Sequence, residues 1–182
     1  MITGMQAAGK TTLGPLLAAR LSPPAAAFDG DVFYRMVKAG VGNVDMSPER
    51  HPEAVRQVGL RYDAAALVAQ HYADNGFDFV YTDIILGANV SRWMDSIQNA
   101  ERHLIVLIPS AEAIAERELG RGKGNSYRDW QKPGMSLVEA IVSMQEELVD
   151  TPCRGLWLDS TGQTPEETVE AILADDMKAS LY

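Results

Sequence analysis

Cysteine is nearly absent from this chain. Cys153 is the only one, so no disulfide can close within it, and a reducing cytosol is its natural home. The simplest reading of that thiol is a buried, inert side chain. Basic residues are also scarce: 16 Lys and Arg stand against 25 Asp and Glu, a net charge of −9. Such a balance argues against a nucleic-acid partner, because backbone binding recruits several Lys and Arg. It says nothing against a small cleft, where a few local cations suffice. No apolar run reaches the roughly 20 residues needed to span a bilayer, so no membrane association is expected. The chain turns glycine-rich by Gly4, so no signal peptide is expected. Only three histidines occur, His51, His71 and His103, and their spacing is not that of metal ligands.

What is present is more specific. Gly4-Met5-Gln6-Ala7-Ala8-Gly9-Lys10-Thr11 fills every fixed position of the pattern G-x-x-x-x-G-K-[ST]. Glycines let the backbone curl so that its N–H groups face phosphate oxygens, and the helix that follows adds its positive end. Lys10 would reach the β- and γ-phosphates, and the Thr11 hydroxyl would complete a Mg²⁺ shell. The expected nucleotide-contacting set runs from Gly4 through Met5, Gln6, Ala7, Ala8, Gly9, Lys10 and Thr11 to Thr12. The alternative is a fortuitous glycine-rich turn, and context decides: a short apolar strand, Met1 to Thr3, precedes the loop, and a helix, Thr12 to Leu21, follows it. Strands in the middle of a sheet usually run about 5–6 residues, so a few apolar residues upstream of Met1 are expected. Pro15 sits inside the following helix, where a slight kink is expected.

At 182 residues and 46% hydrophobic, the chain reads as one domain over 1–182 with a proper core. Strand-like runs at Ala25–Phe28, Phe77–Tyr81, Leu104–Ile108 and Leu156–Leu158 alternate with helical segments. The helices are expected at Val32–Lys38, Ala54–Asp74, Ser91–Ile97, Ala111–Leu119, Ser136–Leu148 and Pro165–Met177, the last capped by Thr164. That alternation predicts a three-layer α/β fold with five parallel strands and helices on both faces.

Three further clusters carry chemistry. Asp29-Gly30-Asp31 falls at the carboxyl end of the second strand, where ligands of open α/β sheets bind. Asp29 suits a helix cap, and Asp31 suits a base that takes a hydroxyl proton and contacts the acceptor. Asp83 ends the third strand and would contact substrate or order Mg²⁺ through water, unless it only caps the turn after it. Arg117 and Arg121 lie four apart on one helical face, followed by Lys123 and Arg128 in a glycine-spaced stretch. Cations closing over a nucleotide would form a lid over about 117–135; a solvated face paired to Glu116 and Glu118 is the alternative. Gly162 is placed near the adenine or in a plain tight turn. Trp157 reads as core, while Trp93 and Trp130 suit either core or pocket.

Together these motifs resemble the small P-loop kinases, and among them the chloramphenicol phosphotransferase-like group. The phosphate loop, Phe28-Asp29-Gly30-Asp31, Thr82-Asp83-Ile84-Ile85-Leu86-Gly87 and Glu116-Arg117-Glu118-Leu119-Gly120-Arg121-Gly122 follow that group's order over most of the chain. Gluconate and shikimate kinases resemble it in the Asp at Asp31, and adenylylsulfate kinases in the Asp-Gly-Asp. The resemblance implies transfer of the ATP γ-phosphoryl group, with Mg²⁺, to a hydroxyl of a small molecule, with Asp31 as base. The chain departs from the chloramphenicol enzyme in having Thr82 before Asp83 and Lys123-Gly124 in place of a further lid arginine. It also carries a longer segment from Asn125 to Glu147. A nucleoside or polynucleotide-end kinase is a second enzymatic reading. A nucleotide-dependent switch is a third, disfavoured because the chain lacks the guanine-reading Asn-Lys-x-Asp.

Overall fold

A computed structural model of the protein describes residues 1–40, 52–122, 126–127 and 131–182. The apolar runs form β1 (Ile2–Gly4), β2 (Ala25–Asp29), β3 (Asp78–Thr82), β4 (Ile105–Leu107) and β5 (Leu156–Leu158). All four neighbouring pairs are parallel, in the order β2-β3-β1-β4-β5. The helices are α1 (Lys10–Ala18), α2 (Asp31–Met36), α3 (Pro52–Asp74), α4 (Ala88–Ser96), α5 (Ala111–Gly120), α6 (Leu137–Gln145) and α7 (Pro165–Leu173).

Alternation along the strands sorts the core into layers. Tyr81 and Val106 turn to one face, where Ala65 and Ala69 of α3 and Trp93 of α4 cover them. Val80, Ile105 and Leu107 turn to the other, against Leu13 and Leu17 of α1 and Val169 and Ile172 of α7. A third cluster joins Met5 to Ile114, Tyr127, Ile141 and Met144 beneath α5 and α6. Trp93 is core, stacked on Tyr81 with ring centroids 5.0 Å apart. The expected three-layer parallel fold is therefore the one observed.

The differences are local. The helix expected from Ser91 starts at Ala88. The last helix stops at Leu173, because Asp175, Asp176 and Met177 take left-handed conformations with φ of 51°, 54° and 60°, which an α-helix cannot accommodate. Thr164 caps α7 as expected, in a capping box with Glu167. Its backbone and hydroxyl hydrogen bonds hold the Glu167 carboxyl below its ordinary range. Pro15 is tolerated within α1, which continues to Ala18. Cys153 is exposed rather than buried, because it follows Pro152 in the loop before β5 instead of lying in a strand. Val55, one of the apolar residues at helical spacing that make Ala54–Asp74 read as an amphipathic helix, is also exposed. Among the described residues no helix is long and apolar enough to cross a membrane.

Candidate active site

β1 runs in the middle of the sheet and delivers the chain at Gly4 into a loop that ends on the first turn of α1. Gly4 has φ +138° and lies so close to β4 that a Cβ would sit 2.5 Å from the Leu107 carbonyl oxygen, so no other residue fits there. Gly9 (φ +107°) precedes α1 and supplies no side-chain cap, which leaves first-turn N–H groups open to an anion. Lys10 is buried, and its Nζ donates to the carbonyls of Gly4 at 2.9 Å and Met5 at 2.6 Å. Burial pulls its pKa down from 10.5 to about 8. Asp83, Asp29 and Asp31 oppose that fall and Arg121 adds to it.

A cavity of about 320 Å³ opens beside the loop, lined by Ala7 to Leu13 together with Arg117, Arg121, Ser160, Gln163, Pro165 and Thr168. Its size lies within the range of small-ligand pockets, about 300–1,000 Å³. Thr11 and Thr12 are exposed on its wall. The Ser160 Oγ is buried with no hydrogen-bond partner, so this wall holds an unused polar atom. Gly162 does not reach the wall; it makes the turn (φ +70°) between Ser160 and Gln163, which do. Gly4, Met5 and Gln6 likewise lie behind it, where their carbonyls are already engaged by Lys10 and Tyr127.

Arg117 and Arg121 both line the cavity, as one helical face requires. Arg117 ties the site together: its guanidinium donates to the Ala8 carbonyl at 3.2 Å and the Ser160 carbonyl at 2.8 Å. Arg121, 47% exposed, pairs with buried Glu118 at 3.4 Å. Glu118 also accepts from the Ser126 N–H at 2.7 Å. Next to it, fully buried Tyr127 donates its hydroxyl to the Gln6 carbonyl at 2.6 Å. Burial raises the Tyr127 phenol pKa, with the Glu118 charge adding to it, so it remains a donor. Lys123, Arg128 and Trp130, and the loop from Gly40 toward Pro52 with His51, fall wholly or largely outside the described residues.

The carboxylates stand at the ends of β2 and β3. The Asp31 N–H donates to Asp29 Oδ1 at 3.0 Å, so Asp29 holds the turn, while the N-cap position of α2 itself is Gly30 and carries no side-chain cap. The Asp31 carboxylate is 63% exposed, with Arg35 3.8 Å away. Asp83, by contrast, is buried and fully engaged. Its Oδ2 accepts from the Tyr81 hydroxyl at 2.6 Å and its Oδ1 from the Ile84 N–H at 2.7 Å. Arg61 Nε of α3 lies 3.4 Å from Oδ2. Gly30 packs directly on this carboxylate: a Cβ there would overlap Asp83 Oδ2 and lie 2.8 Å from the Tyr81 hydroxyl.

Sequence reasoning missed Arg61, Tyr81 and Ser160, and gave Tyr127 no role. The place of Arg61 beside Tyr62 in the long helical segment Ala54–Asp74 was its one available signal. The other three depend on which strands and loops become neighbours. Among the described residues no group of three or more His, Cys, Asp or Glu is placed to hold a metal.

A phosphate-type loop on the central strand, two arginines across the cavity and carboxylates at the ends of β2 and β3 define a P-loop kinase. The match is specific enough to place the chain further: it belongs to the chloramphenicol phosphotransferase-like family, whose model matches residues 1–176. It is accordingly a nucleotide-using, small-molecule phosphotransferase with a hydroxyl acceptor. Among solved structures, a sugar kinase from Janibacter sp. HTCC2649 is similar at 18% identity, over 98% of this chain and 94% of that one, with a TM-score of 0.64. The tunicamycin resistance protein of Deinococcus radiodurans matches at 18% identity over 99% and 95%, with a TM-score of 0.60. The APS kinase of Mycobacterium tuberculosis, solved with AMPPNP and APS, matches at 14% over 94% and 92%, with a TM-score of 0.66. At these identities the likeness is one of fold. No curated protein matches the sequence closely enough to count as a relative.

Proposed function

We propose that the protein transfers the γ-phosphoryl group of ATP to a hydroxyl of a small metabolite or antibiotic, using Asp31 as the base. The observation that carries this reading is the division of charge around Lys10, whose ammonium feels Arg121 on one side and Asp31, outside the cavity lining, on the other. Lys10, Arg117 and Arg121 gather on the phosphate side, while an accessible carboxylate, Asp31, stands on the turn held by Asp29. The acceptor O–H gives its proton to Asp31 as its oxygen bonds to the γ-phosphorus. The bond from that phosphorus to the β,γ-bridging oxygen breaks, and the nucleoside diphosphate leaves. Positioning and charge neutralisation supply the catalysis. The loop amides from Ala7 to Thr12, on the backbone curl that Gly4, Met5 and Gln6 support from behind, and the Lys10 ammonium hold the β- and γ-phosphates. Arg117 and Arg121, at the root of a lid over about 117–135, offset charge on the transferring group. Gly162 shapes the turn beside the base of the nucleotide, and Asp83 faces the transferring group and its acceptor.

Mg²⁺ fits the oxygen donors on this wall. The Thr11 hydroxyl would hold it, with Asp83 acting through water because both its oxygens are already engaged. When bound, the ion neutralises phosphate charge. A role for the protein in resistance to an antibiotic, in the cytoplasm and as one domain over 1–182, accords with this reading.

The test is a mass-spectrometric screen with ATP, Mg²⁺ and pooled hydroxylated compounds, including chloramphenicol, nucleosides, sugars and aminoglycosides. A compound gaining one phosphoryl group, with the gain absent for Lys10→Ala, is the expected result. ATP binding with no gain in any pool, but turnover stimulated by a protein partner, would favour a nucleotide switch instead.

A further inference from the structure

Asp83 and Lys10 stand at the same end of the sheet. β1 and β3 are paired at Ile2 and Thr82, so Asp83 follows β3 into the same region where Lys10 reaches the Gly4 carbonyl at the end of β1. Asp83 is also the carboxylate with the largest influence on Lys10. A phosphate loop works by offering its lysine to the phosphates of the nucleotide, and a bare buried carboxylate next to that lysine competes for it. Arg61 answers that competition. It projects from α3, its side chain is only 14% exposed, and its Nε lies 3.4 Å from Asp83 Oδ2. Nε is buried and outside hydrogen-bonding geometry, so its relation to Asp83 is one of charge. The guanidinium is held over the rings of Tyr62 at 5.2 Å and Tyr34 at 5.9 Å, and the Tyr62 hydroxyl is itself pinned to the Ile84 carbonyl at 2.7 Å. The cation is thus fixed in place.

We propose that Arg61 is a positioning residue: by neutralising Asp83 it leaves Lys10 to the nucleotide phosphates. The inference rests on the nucleotide site proposed above. Arg61 does not line the cavity beside the phosphate loop, so its loss is expected to act on nucleotide affinity through Asp83. The pairing also fixes the floor on which Gly30, and hence the turn bearing Asp31, rests.

The experiment is a double-mutant cycle read by calorimetric binding of AMPPNP, with and without Mg²⁺, each variant first checked by thermal melting. Arg61→Gln leaves Asp83 uncompensated, and the dissociation constant is expected to rise about tenfold. Arg61→Lys keeps the charge and is expected to stay within about twofold of the unmodified protein. In an Asp83→Asn background the Arg61→Gln step is expected to change affinity by less than about twofold, because nothing remains to neutralise. That background also decides the matter if Arg61→Gln alone does not fold, since removing both partners of a buried pair is tolerated better than removing one. Unchanged affinity in folded Arg61→Gln overturns the proposal. So does an equal loss in both backgrounds, which would make Arg61 merely structural. Failure of the nucleotide-site reading looks different: the unmodified protein and Lys10→Ala would then bind AMPPNP alike.

Discussion

The two sides of the cleft are built in opposite ways. On the nucleotide side, most of the loop from Gly4 to Lys10 is buried, and its carbonyls are held by Lys10, Arg117 and Tyr127. On the acceptor side, β2 and α2 contain no fully buried residue, and the Asp31 carboxylate stands largely in solvent. A phosphate tail is the same in every reaction cycle, so a rigid backbone cradle can be formed in advance. In the proposed reaction the acceptor side leaves burial of the reacting hydroxyl to the arriving substrate, which would suit Asp31 as a base that releases its proton to water afterwards.

The largest effects come from breaking each side separately. Lys10→Ala is expected to lower transfer by about a thousandfold and to weaken nucleotide binding with it. Asp31→Asn is expected to lose transfer by about 10²- to 10⁴-fold while calorimetry finds nucleotide affinity unchanged. Normal transfer by Asp31→Asn would remove it as the base and erase the contrast.

The pH dependence sharpens the same contrast. Burial holds the Lys10 pKa at about 8 in the free protein, and bound phosphates favour the charged form and raise it. Affinity is then fully present below pH 8. Above it, binding must take up a proton, and affinity falls toward about tenfold per pH unit. Calorimetry in buffers of different ionisation enthalpy at pH 9 would detect that proton; none taken up would refute the assignment.

A smaller effect is expected where the two sides touch. Gly30→Ala places a methyl group on the Asp83 carboxylate, and overpacking of this kind costs about 1–3 kcal/mol. Denaturant unfolding should show that loss, and transfer should fall more than nucleotide binding. The smallest is Tyr127→Phe, which removes one buried hydrogen bond to the Gln6 carbonyl. It should cost about 1 kcal/mol, or roughly 2–4 °C of melting temperature. An unchanged melting temperature would mean that the root of the lid is held by packing alone.

How much was legible in advance depended on range. The phosphate loop is encoded by consecutive residues, because a curl of backbone needs its glycines at fixed neighbouring positions. The Asp29 side chain does hold the turn into α2, two residues away, although the helix cap position itself falls on Gly30. Thr164 and Glu167 declared a capping box three residues apart. Asp83 was half-read: its place at the end of β3 was plain, but its saturation by Tyr81, Ile84 and Arg61 was not. Cys153 was misjudged because composition favours burial of a lone thiol, whereas a loop after proline overrode it.

The sequence by itself determined the α/β alternation, the phosphate loop and the identity of the charged groups at the strand ends, since hydrophobic period and turn chemistry act over a few residues. Tertiary structure alone decided the order β2-β3-β1-β4-β5, which brings Asp83 beside Lys10. It also decided the approach of Arg61 to Asp83 across 22 positions and of Tyr127 to Gln6 across 121. Contacts of that span are set by which faces pack together across the whole core, and no local pattern of residues encodes them.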